Sequence, residues 1–236
     1  MIRVNKLLNK DVWDTVCDDP SCGEFRVEIK PEVRKALLRI AYDFLESLDP
    51  KMKFTDITLT GSMANYNYTD QSDLDLHVLF DFDAEGERGD LIQDLFNAKR
   101  RIWNDGHDIK VRDHDVELYA QDTNEPHHST GVFSVLRNKW LVVPQRTNPA
   151  IDEEYVLKKS QDIMDRIDFL VDLEDKRSSL QNTKDKIMKM RKAGLERKGE
   201  FAEENLIFKT LRNTGYIGKL NDIIRNEYDR SVSLDQ

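Results

Sequence analysis

From Asp73 to Val78 the chain alternates strictly: Asp73, Asp75 and His77 take every second position, and Leu74, Leu76 and Val78 fill the places between. A two-residue period of this kind fits only an extended strand with one apolar face turned to a core and one polar face turned away. The polar turn Thr69-Asp70-Gln71-Ser72 comes immediately before, so the acids open the strand instead of closing it. On the rise of an extended chain, Asp73 and Asp75 project from one face about 7 Å apart. On an open surface such a pair is simply solvated. Lining a cleft, it needs a cation, and hard carboxylate oxygens suit Mg²⁺ or Mn²⁺.

The surrounding pattern describes a sheet packed against helices. Upstream, Phe54 to Thr60 alternates, with Ile57 and Leu59 on one side and Thr58 and Thr60 on the other, and it runs into Gly61-Ser62 and a short helix-like segment from Met63 to Tyr68. Glycine permits close approach of the backbone, and the serine adds a hydroxyl to free N–H groups. The pair reads either as a phosphate site or as a turn with a capping serine. Pro31 opens a helix on which Val33, Ala36, Leu37, Ile40, Ala41, Phe44 and Leu45 share a face, and Leu91, Ile92, Leu95, Ala98, Ile102 and Trp103 define another over about 90–103. A third strand is expected around Val111 to Tyr119, with Val116 and Leu118 on one face and Asp115, Glu117 and Tyr119 on the other. The segment before Pro31 has little pattern. Strands and helices together give an α+β class.

Beyond Pro144 the texture changes. Pro144, Asn148 and Pro149 read as a linker, and helices are expected from Tyr155 to Leu173, about Ser178 to Leu195, about Glu200 to Arg212, and Gly215 to about Tyr228, with Gly194, Gly199 and Gly215 as breaks. The expected division is therefore a domain over 1–146 and a helical one over 150–236. The net charge of −9 argues against a protein that coats nucleic acid by bulk attraction. The stretch from Lys176 to Lys198 is nonetheless strongly basic and reads as a solvated helix face or as a contact for phosphates. No apolar run is long enough for a bilayer and no secretory signal opens the chain, so no membrane partner and a cytoplasmic location are expected. Cys17 and Cys22 are read as free thiols in preference to half of a zinc site, because no second Cys or His pair lies nearby, and in preference to a local disulfide, because a reducing compartment disfavours one.

The run Leu59-Thr60-Gly61-Ser62 followed by Ser72-Asp73-Leu74-Asp75-Leu76-His77 resembles the signature of the polymerase beta-like nucleotidyltransferase superfamily, and Val116-Glu117-Leu118 is similar to that family's third acidic element. Gly61 to Tyr66 and Gln121-Asp122 through Glu125-Pro126-His127 further resemble nucleotidyltransferases predicted in tailed phages. The resemblance implies a nucleotidyltransferase fold, a small mixed β-sheet flanked by helices, followed here by the helical region. It implies Asp73, Asp75 and Glu117 as catalytic residues and as ligands of Mg²⁺ or Mn²⁺. Gly61 and Ser62 would hold the triphosphate of a nucleoside triphosphate substrate, ATP among the candidates. It also implies transfer of a nucleoside monophosphate to a hydroxyl of RNA, a protein or a small molecule. A nucleotide-sensing or protein-binding module without turnover on the same fold is the alternative. Asp115, which lacks apolar flanks on both sides, is a weaker third acid than Glu117, and His127, His128 and Ser129 are read as loop residues.

Overall fold

The computed structural model describes residues 5–17, 25–48, 52–125, 129–146, 149–174 and 176–234. The chain divides into two compact units, Ile2–Thr147 and Asn148–Gln236. The first is mixed α+β, a sheet flanked by helices; the second is helical. Among the described residues no helix is long and apolar enough to cross a membrane.

Among the described residues the first unit contains eight strands and two α-helices: β1 (Trp13–Cys17), β2 (Arg26–Ile29), α1 (Pro31–Ser47), β3 (Phe54–Thr60), β4 (Leu74–Phe80), α2 (Gly89–Gly106), β5 (Lys110–Val111), β6 (His114–Asp122), β7 (Val132–Ser134) and β8 (Lys139–Val142). Six of the strands form one sheet in the order β5-β6-β4-β3-β7-β8, and β1 and β2 form a separate antiparallel hairpin. Only the β4–β6 pairing in the six-stranded sheet is parallel, which requires a crossover, and α2 lies within that connection. The apolar positions read from the sequence in α1, β3, β4 and β6 point into one core, formed by Leu37 and Phe44 of α1, Ile57 and Leu59 of β3, Leu74, Leu76 and Val78 of β4 and Leu118 of β6, and joined by Phe96 of α2. Burying side chains of this size contributes about 1.5–3 kcal/mol each, before chain entropy is set against it.

Four sequence expectations are corrected in this unit. The face read for α2 is displaced: Leu91, Leu95 and Ile102 are exposed, and the helix instead turns Ile92, Phe96 and Trp103, spaced four and seven residues apart, to the core. The poorly patterned start forms the β1–β2 hairpin, whose Trp13 is buried in an aromatic cluster. Its indole stacks on Trp140 with centroids 4.6 Å apart and meets Phe133 edge-on at 5.1 Å. The single strand expected over Val111 to Tyr119 is two strands: Arg112 and Asp113, both at positive φ, make a two-residue turn that pairs Val111 with His114. Cys17 is disulfide-bonded, not a free thiol. The hairpin brings Arg26 of β2 opposite Cys17, so the chain doubles back beside it; Cys22 lies outside the described residues.

In the second unit α3 (Glu153–Val171) is capped by Asp152, whose carboxylate accepts the N–H of Tyr155 at 2.9 Å. It is followed by α4 (Arg177–Lys198), α5 (Glu203–Asn213) and α6 (Tyr216–Val232). α5 is central: Leu206, Ile207, Phe208 and Leu211 are buried, and the helix touches α3, α4 and α6. Gly199 and Gly215 do break the helices, closing α4 and preceding α6, at φ +68° and +80°. Gly194 does not: it lies inside α4, where a Cβ would stand 2.8 Å from that of Glu204 and 3.2 Å from that of Ala202, so it is a close-packing position.

Candidate active site

β3 ends at Thr60, and the chain turns through Gly61, at φ +72° and ψ −160°, into a single 3₁₀ turn, Ser62–Ala64. That conformation is open essentially to glycine alone. Met63 and Ala64 are buried behind the turn, and the carbonyl of Met63 accepts the indole N–H of Trp13 at 2.7 Å. The Ser62 hydroxyl faces the other half of the motif, donating to Ser72 Oγ at 2.9 Å. Ser72 Oγ also accepts the Thr69 N–H at 2.9 Å, and its carbonyl accepts the proton of the buried His114 Nδ1 at 3.0 Å. The glycine-serine turn and the start of the acidic strand are thus joined through one buried serine.

Strand register assembles the rest. Asp75 stands between Thr60 of β3 and Glu117 of β6, and His77 stands between Thr58 and Tyr119 in the next rung. Side chains at alternate positions share a face, so Asp75, His77, Glu117 and Tyr119 lie together on the side of the sheet opposite Leu74, Leu76 and Leu118. All four are half-buried. Burial raises the Tyr119 phenol far above the ordinary range, and the negative charges of Asp75 and Glu117 push it the same way.

The expected site residues do not all converge equally. Asp75 and Glu117 are side by side, and Gly61 touches Asp75: a Cβ at position 61 would overlap its carboxylate and lie 2.8 Å from its Cγ. Asp73 precedes the ladder, whose first rung is Leu74 with Val116, so no strand pairing fixes it against Glu117. Among the described residues no group of three or more His, Cys, Asp or Glu side chains is disposed to hold a metal ion. The two adjacent carboxylates still fit Mg²⁺ or Mn²⁺, because such ions are commonly held by one or two carboxylates, with waters and substrate phosphates completing the shell. Asp115 is turned to Lys110, with which it pairs at 2.9 Å on the exposed hairpin. His127 and His128 lie outside the described residues, and the Ser129 hydroxyl donates to the carbonyl of Gly131 at 2.8 Å.

Sequence reasoning passed over His77, Gln121 and Arg100. His77 and Gln121 were open to the two-residue period, since they continue the faces of Asp75 and Glu117. Arg100 was not, because it reaches the Tyr119 ring from α2, 5.1 Å from its centre. In α4, Arg197 and Lys198 pair with Glu204 and Glu203, and Lys176 just before it pairs with Glu227. Lys186, Lys189 and Lys192 are exposed. Comparison of the chain with protein-family models, curated proteins and solved structures finds no match.

Proposed function

We propose that the first unit is a metal-dependent nucleotidyltransferase, moving a nucleoside monophosphate from a nucleoside triphosphate to a hydroxyl acceptor with release of pyrophosphate. The observation that carries this reading is the rung Thr60–Asp75–Glu117, which puts two carboxylates next to each other and beside the Gly61-Ser62 turn. Two adjacent like charges are unfavourable unless a cation is shared between them.

Asp75 and Glu117, with Asp73 at the mouth of the strand, would hold Mg²⁺ or Mn²⁺. When bound, the ion supplies positive charge where negative charge grows on the transferring phosphoryl group. The Gly61 backbone admits a phosphate closely, and the Ser62 hydroxyl, which donates to Ser72 in the free protein, is free to turn its proton to a phosphate oxygen. Holding the triphosphate at this turn orients its α-phosphorus in line with the acceptor hydroxyl. The acceptor oxygen forms its bond to that phosphorus as the bond to the β-phosphate oxygen breaks. Pyrophosphate departs, and the hydroxyl proton passes to a site carboxylate. Positioning and electrostatic preorganisation account for the acceleration.

The test is incubation of the full chain with each labelled nucleoside triphosphate, Mg²⁺ or Mn²⁺ and a total cell extract. Metal-dependent labelling of an acceptor with stoichiometric pyrophosphate, lost in Asp75→Ala, is the expected result. A second reading, a nucleotide-sensing or protein-binding module without turnover, is favoured by the lack of a three-residue metal group among the described residues. It predicts nucleotide or partner binding with no pyrophosphate, and that outcome would displace the enzyme.

A further inference from the structure

The solvent side of α2 carries an apolar seam. Leu91, Leu95, Ala98 and Ile102 follow one another at intervals of four, three and four residues, which on an α-helix brings them into one line about 16 Å long. All four are exposed, Leu91 and Ile102 at 72% each and Leu95 at 38%. The helix cannot roll to bury them, because its opposite side is committed: Phe96 lies in the core, and Asn104 holds both main-chain groups of Leu118. Single apolar side chains on a surface are ordinary, but four aligned at this spacing form a face that another helix can cover.

The charges beside the seam select which helix. Asp94 and Arg101 immediately precede Leu95 and Ile102, so they flank the seam on one side, with Asp90 one turn before Asp94. All three are exposed, and among the described residues none of them is drawn into an ion pair. A second copy of the helix, laid antiparallel about a two-fold axis between Leu95 and Ala98, meets the first with its own seam. Leu91 then falls against Ile102 of the partner subunit, and Leu95 against Ala98 of the partner subunit, whose small side chain leaves it room. On the flank, Arg101 of the partner subunit comes between Asp90 and Asp94, and the symmetry makes this contact twice. A parallel pair would instead set Arg101 across from Gly106 of the partner subunit. We infer that α2 is a self-association surface, on which two copies of the chain pair antiparallel through this seam, the Arg101 of each copy held by the acids of the other. None of these residues belongs to the proposed transfer site, so assembly and transfer are open to separate tests.

One helix pair is a small interface, so the association is weak and is read by sedimentation equilibrium of the full chain over a concentration series reaching the near-millimolar range. The unaltered protein is expected to pass from monomer to dimer across that series. Asp94→Arg sets like charges across the seam, as does Arg101→Asp, and each is expected to raise the dissociation constant on the order of 10-fold or more. An equimolar mixture of the two single variants restores opposite charges wherever position 94 meets position 101, so it is expected to form mixed dimers under conditions where neither variant dimerises alone. A chain that stays monomeric throughout, single variants that dimerise like the parent, or a mixture that associates no more than its components overturns the inference. Ile102→Lys serves where a charge variant fails to fold. It is expected to abolish the dimer with the melting temperature unchanged, and a marked fall in that temperature would show that the seam is covered within its own chain, which displaces the second copy as its occupant.

Discussion

The carboxylate of Asp75 occupies the space that a Cβ would need at Gly61. The glycine-serine turn and the acidic strand therefore meet in a contact that no other residue at position 61 can make. Gly61→Ala should be costly on two counts: the backbone at φ +72° and ψ −160° is strained for any side chain, by about 1–3 kcal/mol, and the new methyl must displace Asp75. Chemical denaturation should show at least that loss of stability. Nucleotidyl transfer should fall even at temperatures where the variant remains folded. A variant as stable as the parent would mean that the turn can relax away from Asp75.

Glu117→Gln tests the rung itself. Removing one of two adjacent negative charges relieves repulsion, so in the absence of metal the melting temperature should hold or rise, by an amount equivalent to roughly 0.2–1 kcal/mol. Transfer should fall on the order of 10²-fold or more, because charge stabilisation at the reacting phosphorus is lost. A melting temperature that drops sharply would show that Glu117 is a structural residue.

Asn104 tests how β6 is held. β5 is only two residues long, so β6 has a free edge beyond it, and Asn104 of α2 fills the gap: Nδ2 donates to the Leu118 carbonyl at 3.0 Å and Oδ1 accepts the Leu118 N–H at 3.2 Å. Asn104→Ala leaves both main-chain groups without these partners, at a cost of about 1–3 kcal/mol. Hydrogen exchange at the Leu118 amide should accelerate more than at Leu76 on the neighbouring strand. Equal acceleration would point to a general loss of stability.

Asp168 in α3 gives a pH-dependent prediction in the second unit. Its carboxyl is held below the usual carboxylate range, first by the hydrogen bond from Lys219 and then by that from the Tyr216 hydroxyl. A lowered folded-state pKa contributes stability that is present above the unfolded value and is lost as pH falls through the folded one. The melting temperature of the native protein should therefore exceed that of Asp168→Asn at neutral pH, and the gap should close on acidification below the ordinary aspartate range. The group is exposed, so the gap should also shrink with added salt. A gap independent of pH would assign the effect to packing.

Where the sequence was legible, the reason was periodicity carried over enough residues. β3 alternates from Asp56 to Thr60 and β4 from Leu74 to Val78, and α1 repeats its apolar spacing from Val33 to Phe44, so their faces could be read directly. β2, β7 and β8 have three or four residues each, too few to establish a period. Trp13, Phe25, Phe133 and Trp140 meet only through tertiary packing. The turn at Arg112-Asp113 was hidden because its positive φ values fall on residues other than glycine. At the site, the acids of β4 were visible as a local pattern. The pairing of Asp75 with Glu117 was not, since the register of two parallel strands is written nowhere in either one. Tyr119 was placed on the acid face by its period, but the contacts of its ring with His77 and Arg100 come from a neighbouring strand and from α2.

The bond from Trp13 to the Met63 carbonyl makes the rear of the glycine-serine turn depend on a residue fifty positions upstream. Proteolytic nicking that removed β1 would leave every carboxylate of the rung in the chain and yet withdraw the indole that pins the turn against the sheet. The amino-terminal hairpin thus acts as a remote fastening, and its loss would loosen the turn before it disturbed the acids.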